Sequence, residues 1–229
     1  ALAAVHAGKD PRSVLREAIE AYTRADVLRP GGYAALNNRG DAWLCLGDVE
    51  RNAGLSPAEP YGKALADFEE VLRRAPDVGL AVNNRGNAHA RLGEWIELQG
   101  QDPREEYRLA LADHERTLAF GPRFEFALFN RAQVKMCIAH AERLRGANPD
   151  PILIEALKDF DAYLLLRPGD LSGTVARAAV YVERGKGKEA RDVDPREDYH
   201  AAIAGLGEAI AAHPGFCKAR YNRGQVWLL

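Results

Sequence analysis

Residues 36–76 read LNNRGDAWLCLGDVERNAGLSPAEPYGKALADFEEVLRRAP, and residues 82–122 read VNNRGNAHARLGEWIELQGQDPREEYRLALADHERTLAFGP. The two stretches align without a gap at an offset of 46 residues, and the same frame runs through the rest of the chain. Pro30, Pro76, Pro122, Pro168 and Pro214 mark it once per unit, and Pro11, Pro57, Pro103, Pro149 and Pro195 mark it again. Arg39, Arg85, Arg131, Arg177 and Arg223 keep the same step, as do Ala18, Ala64, Ala110, Ala156 and Ala202. Ten of the twelve prolines fall on the two series, so composition alone does not produce the ruler. Self-similarity at such a period is the signature of a repeat architecture.

Each unit predicts two helices. In the stretch 36–76, Leu36, Gly40, Trp43 and Gly47 recur at helical spacing as an apolar or small stripe. Gly54 suits a C′ position, where the backbone turns left-handed. Ser56 suits the next N-cap, Pro57 the first turn, and Glu59 a capping box. Asp102-Pro103…Glu105 and Asp194-Pro195…Glu197 repeat that box, whereas Asp10-Pro11 and Asn148-Pro149 keep only the cap. Tyr61, Ala64, Leu65, Phe68 and Leu72 form the stripe of the second helix, which Pro76 stops. The pattern predicts about eleven helices. The pairs are 33–53/57–74, 79–99/103–120, 125–145/150–166 and 171–187/195–212, with a short helix before Pro11, its partner at 11–28, and a last helix from about 216.

These residues resemble the tetratricopeptide repeat, whose unit is a helix hairpin closed by small residues, anchored by large apolar ones and ended by a proline. The small pairs are Gly40 with Ala64, Gly86 with Ala110, Ala132 with Ala156 and Ala178 with Ala202. The anchors are Leu36, Trp43 and Phe68, then Val82 and His89 with His114, and Tyr181 with Leu206. The resemblance spans the chain and implies an all-α fold: a right-handed superhelical solenoid of antiparallel helix pairs, with 1–229 as a single array of about five units. The family's unit has about 34 residues, so each unit here carries about a dozen more, all at the hairpin tip. Two helices of roughly 18–20 residues, ~27–30 Å long, accommodate them. Both ends fall inside a repeat, so we expect a piece of a longer protein. Arrays like this resemble those of large bacterial multidomain proteins, serine/threonine kinases among them, though no kinase motif is present. Bare terminal helices make end-to-end self-association an expectation as well.

Thirty-one Lys and Arg against 33 Asp and Glu leave a net charge of −2, without the basic surplus of a nucleic-acid binder. No apolar run approaches the ~18 residues a membrane helix needs, so no membrane partner is expected. The opening ALAAVHAGKD lacks the pattern of a signal peptide. Three scattered cysteines, Cys45, Cys137 and Cys217, point to a reducing, cytoplasmic setting. No nucleophile elbow, phosphate loop or paired-histidine zinc motif occurs, so no enzyme activity, cofactor or metal is expected. Gly185-Lys186-Gly187-Lys188 reads as a solvated turn, and His89 and His114, at sites where other units place Trp43 or Phe68, as core.

Two features bear on function. The strict series Arg39, Arg85, Arg131 and Arg177 forms either an anion-binding ladder or structural ion pairs with Asp67, Asp113 and Asp159, which share its period. Ala21 and Gly205 replace that aspartate elsewhere, so some arginines must turn to carbonyls or water. The second feature is a surface. By the resemblance, the first helices line a concave groove that binds a peptide or protein segment. One step off the core stripe stand Asn37, Asp41 and Leu44, then Asn83, Asn87 and Arg91. Phe126, Phe129, Gln133 and Met136 follow, and then Val182. Amides at one end and an apolar middle suggest an extended peptide with a hydrophobic anchor. The expected function is a non-enzymatic interaction scaffold; the alternative is the regulatory or sensor segment of a bacterial multidomain signalling protein.

Overall fold

The computed structural model describes residues 10–30 and 32–228. They form ten helices and, among the described residues, no strand: α1 (Pro11–Leu28), α2 (Ala34–Asn52), α3 (Ala58–Arg74), α4 (Gly79–Leu98), α5 (Arg104–Phe120), α6 (Glu125–Leu144), α7 (Asp150–Leu166), α8 (Leu171–Glu189), α9 (Arg196–Ala212) and α10 (Cys217–Val226). The bounds agree with the periodic reading to within two residues, and the expected helix before Pro11 lies outside the described residues. The chain divides into two compact units, Ala1–Gly121 and Pro122–Leu229. In the first, α1 to α5 pack each on the next, and α2 also lies against α4. In the second, α6 to α10 do the same, with α6 against α8.

Local chemistry sets the helix ends. Gly54, Gly100 and Gly146 sit at φ of +74°, +72° and +78°, where glycine alone has no Cβ penalty. At the first of these ends the Gly54 N–H reaches the Arg51 carbonyl at 3.0 Å and the Leu55 N–H the Glu50 carbonyl at 2.9 Å, which closes a Schellman motif. Asp192 occupies the equivalent site in the next unit at φ +57°.

The expected caps accept backbone N–H groups two residues on. Asp102 Oδ1 takes that of Arg104 at 3.2 Å, Asn148 Oδ1 that of Asp150 at 3.1 Å, and Asp194 Oδ1 that of Arg196 at 3.0 Å. The capping boxes do not form. Glu59 pairs with Lys63 at 2.7 Å and Glu105 with Arg108 at 2.7 Å, because a full i+3 or i+4 partner is nearer than the cap. Arg104 and Arg196 instead fork back onto the carboxylates of their own caps, Asp102 and Asp194.

In the hairpins α2/α3 and α4/α5 a ring covers a glycine of the first helix. A Cβ on Gly40 would stand 2.6 Å from the Phe68 ring, and one on Gly86 2.9 Å from the His114 ring. The alanines 64, 110, 156 and 202 are fully buried as expected, but the residue four positions later is what seals the glycine. His114 is fully buried and His89 nearly so, with Nδ1 2.7 Å from Glu106 Oε2. The Gly185–Lys188 string corrects the expectation of a solvated turn. It continues α8 to Glu189, with Gly185 under Tyr199 and Gly187 under Pro149. Those glycines lack the side chains that would hold the tips of α7 and α9 away.

Candidate functional site

The arginine series resolves into ion pairs. Arg39 Nε and Nη2 donate to Asp67 Oδ2 and Oδ1 at 2.8 and 2.5 Å, and Arg85 grips Asp113 in the same way at 2.8 and 2.6 Å. Arg131 forks onto Asp159, whose Oδ2 also accepts from the buried Lys135 Nζ at 2.7 Å. Each pair ties the first helix of a hairpin to its own second helix. Hydrogen bonding to Asp67 and Asp113 holds the Arg39 and Arg85 guanidinium groups above the usual arginine range. Arg177, which meets Gly205 instead of an aspartate, turns to a carboxylate rather than to the expected carbonyl or water. Its Nη1 donates to Asp161 Oδ1 on α7 at 2.9 Å. Thr23 holds the equivalent place for Arg39, at 3.2 Å.

The first-helix faces differ between the two units. On α2 and α4, Asp48 Oδ2 pairs with Arg91 Nη1 at 2.6 Å and Asp48 Oδ1 accepts from the Tyr61 hydroxyl at 2.9 Å. Asn83, Asn84 and Asn37 form a buried amide chain with links of 3.4 Å. Leu44 is buried against Ala88 and Tyr61. Asp41, one turn before Cys45, is partly buried, and loss of solvation pushes its carboxyl up to about 6.

On α6 and α8 the sites equivalent to Asp48 and Arg91 carry His140 and Glu183. Arg143 bridges the two: its Nε donates to Glu183 Oε1 at 2.6 Å and its Nη2 to His140 Nδ1 at 3.1 Å, with Nδ1 3.3 Å from Glu183 Oε1. Beside them α6, α8, α9 and α10 enclose a cavity of about 300 Å3. Its apolar lining comes from Met136 on α6, Val175, Ala178, Ala179 and Val182 on α8, Leu206 on α9 and Val226 on α10. Its polar lining comes from Glu183 and Lys186 on α8 and from Asn222 and Gln225 on α10. The Lys186 ammonium has no ion pair or hydrogen bond among the described residues.

No protein-family model matches the sequence, and no curated protein matches it. Solved structures do. The chain superposes on YrrB, described as a TPR protein with an unusual peptide-binding site, with 20% identity, a TM-score of 0.58, and coverage of 93% of this chain and 84% of that one. It superposes on TTC0263, a thermophilic TPR protein of Thermus thermophilus, with 18% identity, a TM-score of 0.62, and coverage of 92% and 89%. A tetratricopeptide repeat protein of Parabacteroides merdae gives 18% identity, a TM-score of 0.50, and coverage of 94% and 78%. The fold is that of the tetratricopeptide repeat.

On these tetratricopeptide hairpins the residues expected to line a groove separate by burial. Asn37, Leu44 and Asn83 are buried between helices, while Asp41, Asn87 and Arg91 keep partial access to solvent. Phe126 and Gln133 are exposed. Phe129 turns toward α7, its ring centroid 5.5 Å from that of Phe160 and 5.1 Å from that of Tyr163. Met136 and Val182 meet in the cavity wall. Sequence reasoning missed Lys186, Asn222 and Gln225 as lining residues and read Leu206 as a core anchor alone. One signal was present: the ring at Phe68, His114 and Phe160 becomes the smaller Leu206 in the unit that holds the cavity.

Proposed function

We propose that the chain is a non-enzymatic interaction module that binds a peptide or protein segment on its first helices, with an apolar anchor side chain in the second unit's cavity between α6, α8 and α10. The cavity carries this reading: an apolar recess with a few convergent polar groups is the usual form of a recognition site. The peptide-binding site named for YrrB, a protein of the same fold, supports it. In the first unit, taken by itself, the partly open residues Asp41, Asn87 and Arg91 would offer polar contacts to a bound segment. Three free thiols fit a reducing, cytoplasmic setting. No helix among the described residues is long and apolar enough to cross a membrane.

The test is a peptide array probed with the purified chain, with the best binders then measured by fluorescence anisotropy. Val182→Arg places a cation and extra volume in the apolar wall and should abolish binding while the helical circular dichroism persists. Binding that survives this substitution overturns the assignment of the site.

A further inference from the structure

We infer, building on that reading, that the cavity selects a segment in which an aliphatic anchor is accompanied by an acidic side chain, bound at Lys186. The argument rests on which charges at the rim are already satisfied. Glu183 is occupied: Arg143 Nε lies at 2.6 Å, His140 Nδ1 at 3.3 Å, and only 13% of its side chain is exposed. The neighbouring cations of α8 are occupied too. Arg184 and Lys188 both converge on the fully buried Asp198, Lys188 Nζ at 2.7 Å from Oδ2. Arg191, just past the end of α8, is held by Asp150 at 2.7 Å.

Lys186 differs from all of these. It lines the apolar recess and no carboxylate among the described residues meets it. An ammonium left without a partner beside apolar side chains favours an anion brought by the ligand. Asn222 and Gln225, which line the recess from α10, offer amide donors and acceptors that suit a peptide backbone rather than a second charge. The occupant is therefore a segment with a leucine-like side chain in the recess and an aspartate or glutamate beside it.

The experiment uses fluorescein-labelled dodecamers with a central leucine, amidated so that no terminal carboxylate takes part. One set flanks the leucine with Asp and Glu, the other with Lys and Arg. We expect the acidic set to bind the wild-type chain about tenfold more tightly at low salt, with the margin shrinking as salt rises. Lys186→Gln should bring the two sets together and Lys186→Glu should reverse their order, with unchanged circular dichroism. Equal binding of both sets to the wild type, or an acidic preference that survives Lys186→Glu, overturns this inference alone. Failure of both sets to bind, or binding indifferent to Val182→Arg, overturns the groove reading and this inference with it.

Discussion

Tyr107 lays its ring where a side chain on Gly93 would begin, 2.6 Å from an ideal Cβ. Tyr61 covers Gly47 and Tyr199 covers Gly185 in the same manner. In the one unit where the small residue is Ala139, the covering residue is Leu153, and both are fully buried. The methyl group gained on one helix is matched by the ring lost from the other. Close packing demands such an exchange, because an interior tolerates neither overlap nor void.

Gly93→Ala should therefore destabilise the chain by about 1–3 kcal/mol, since Tyr107 is fully buried and its ring has no free space to enter. Adding Tyr107→Leu should recover part of that loss, and a urea double-mutant cycle measures the coupling. Additive effects would show that the ring and the glycine do not share one space.

Asp113→Ala leaves Arg85 without its bidentate partner at a site where the carboxylate is 6% exposed. We expect a loss of about 3 kcal/mol. Arg177→Ala should cost less than about 1 kcal/mol, because its partner Asp161 is 57% exposed. Equal costs in chemical denaturation would contradict the ranking.

Gly205 stands where Asp67, Asp113 and Asp159 stand in other units, and a Cβ there meets nothing within 4 Å. Gly205→Asp should give Arg177 the partner that the other arginines have. Relative to Gly205→Ala, which isolates the helix-propensity gain of about 1 kcal/mol, the aspartate should add about 1 kcal/mol more at low salt.

Asp192 adopts φ +57° where Gly54, Gly100 and Gly146 serve the other units. Asp192→Gly removes the Cβ penalty and should raise stability by roughly 0.5–1 kcal/mol, read as a higher melting temperature. A lower one would mean that the aspartate side chain stabilises its turn.

Asp41 supplies the pH dependence. Burial raises its folded pKa to about 6, above the ordinary 3.8. Below the unfolded value both states hold the proton and the site costs nothing. Between 3.8 and about 6 the unfolded chain releases a proton that the folded state keeps, so stability falls across that window and levels off above it. Asp41→Asn should thus stabilise at neutral pH, by about 1 kcal/mol given the group's partial access to water. The gain should fade toward pH 4, and a gain that persists there would assign it to another cause.

Much of this molecule is decided along the chain. Helix limits, caps and the Arg–Asp pairs were legible because each depends on residues a few positions apart or at a fixed offset within one hairpin. The glycine at 54 and the aspartate at 102 act on backbone groups next to them. The shared period of Arg85 and Asp113 announced an ion pair, while the structure decided that Arg85 takes the aspartate of its own hairpin rather than that of the hairpin before. The tertiary structure decided what depends on neighbouring hairpins. Asn37 and Asn84, 47 residues apart, join in one buried amide chain because α2 and α4 lie side by side. Arg177 found Asp161 across a helix pair, and Lys186 passed from an apparent turn to the wall of a cavity. A periodic pattern gives every first helix the same face. Whether a side chain on that face is buried, paired or open depends on the volume and charge of residues from the next hairpin, and those are the positions at which the repeat varies.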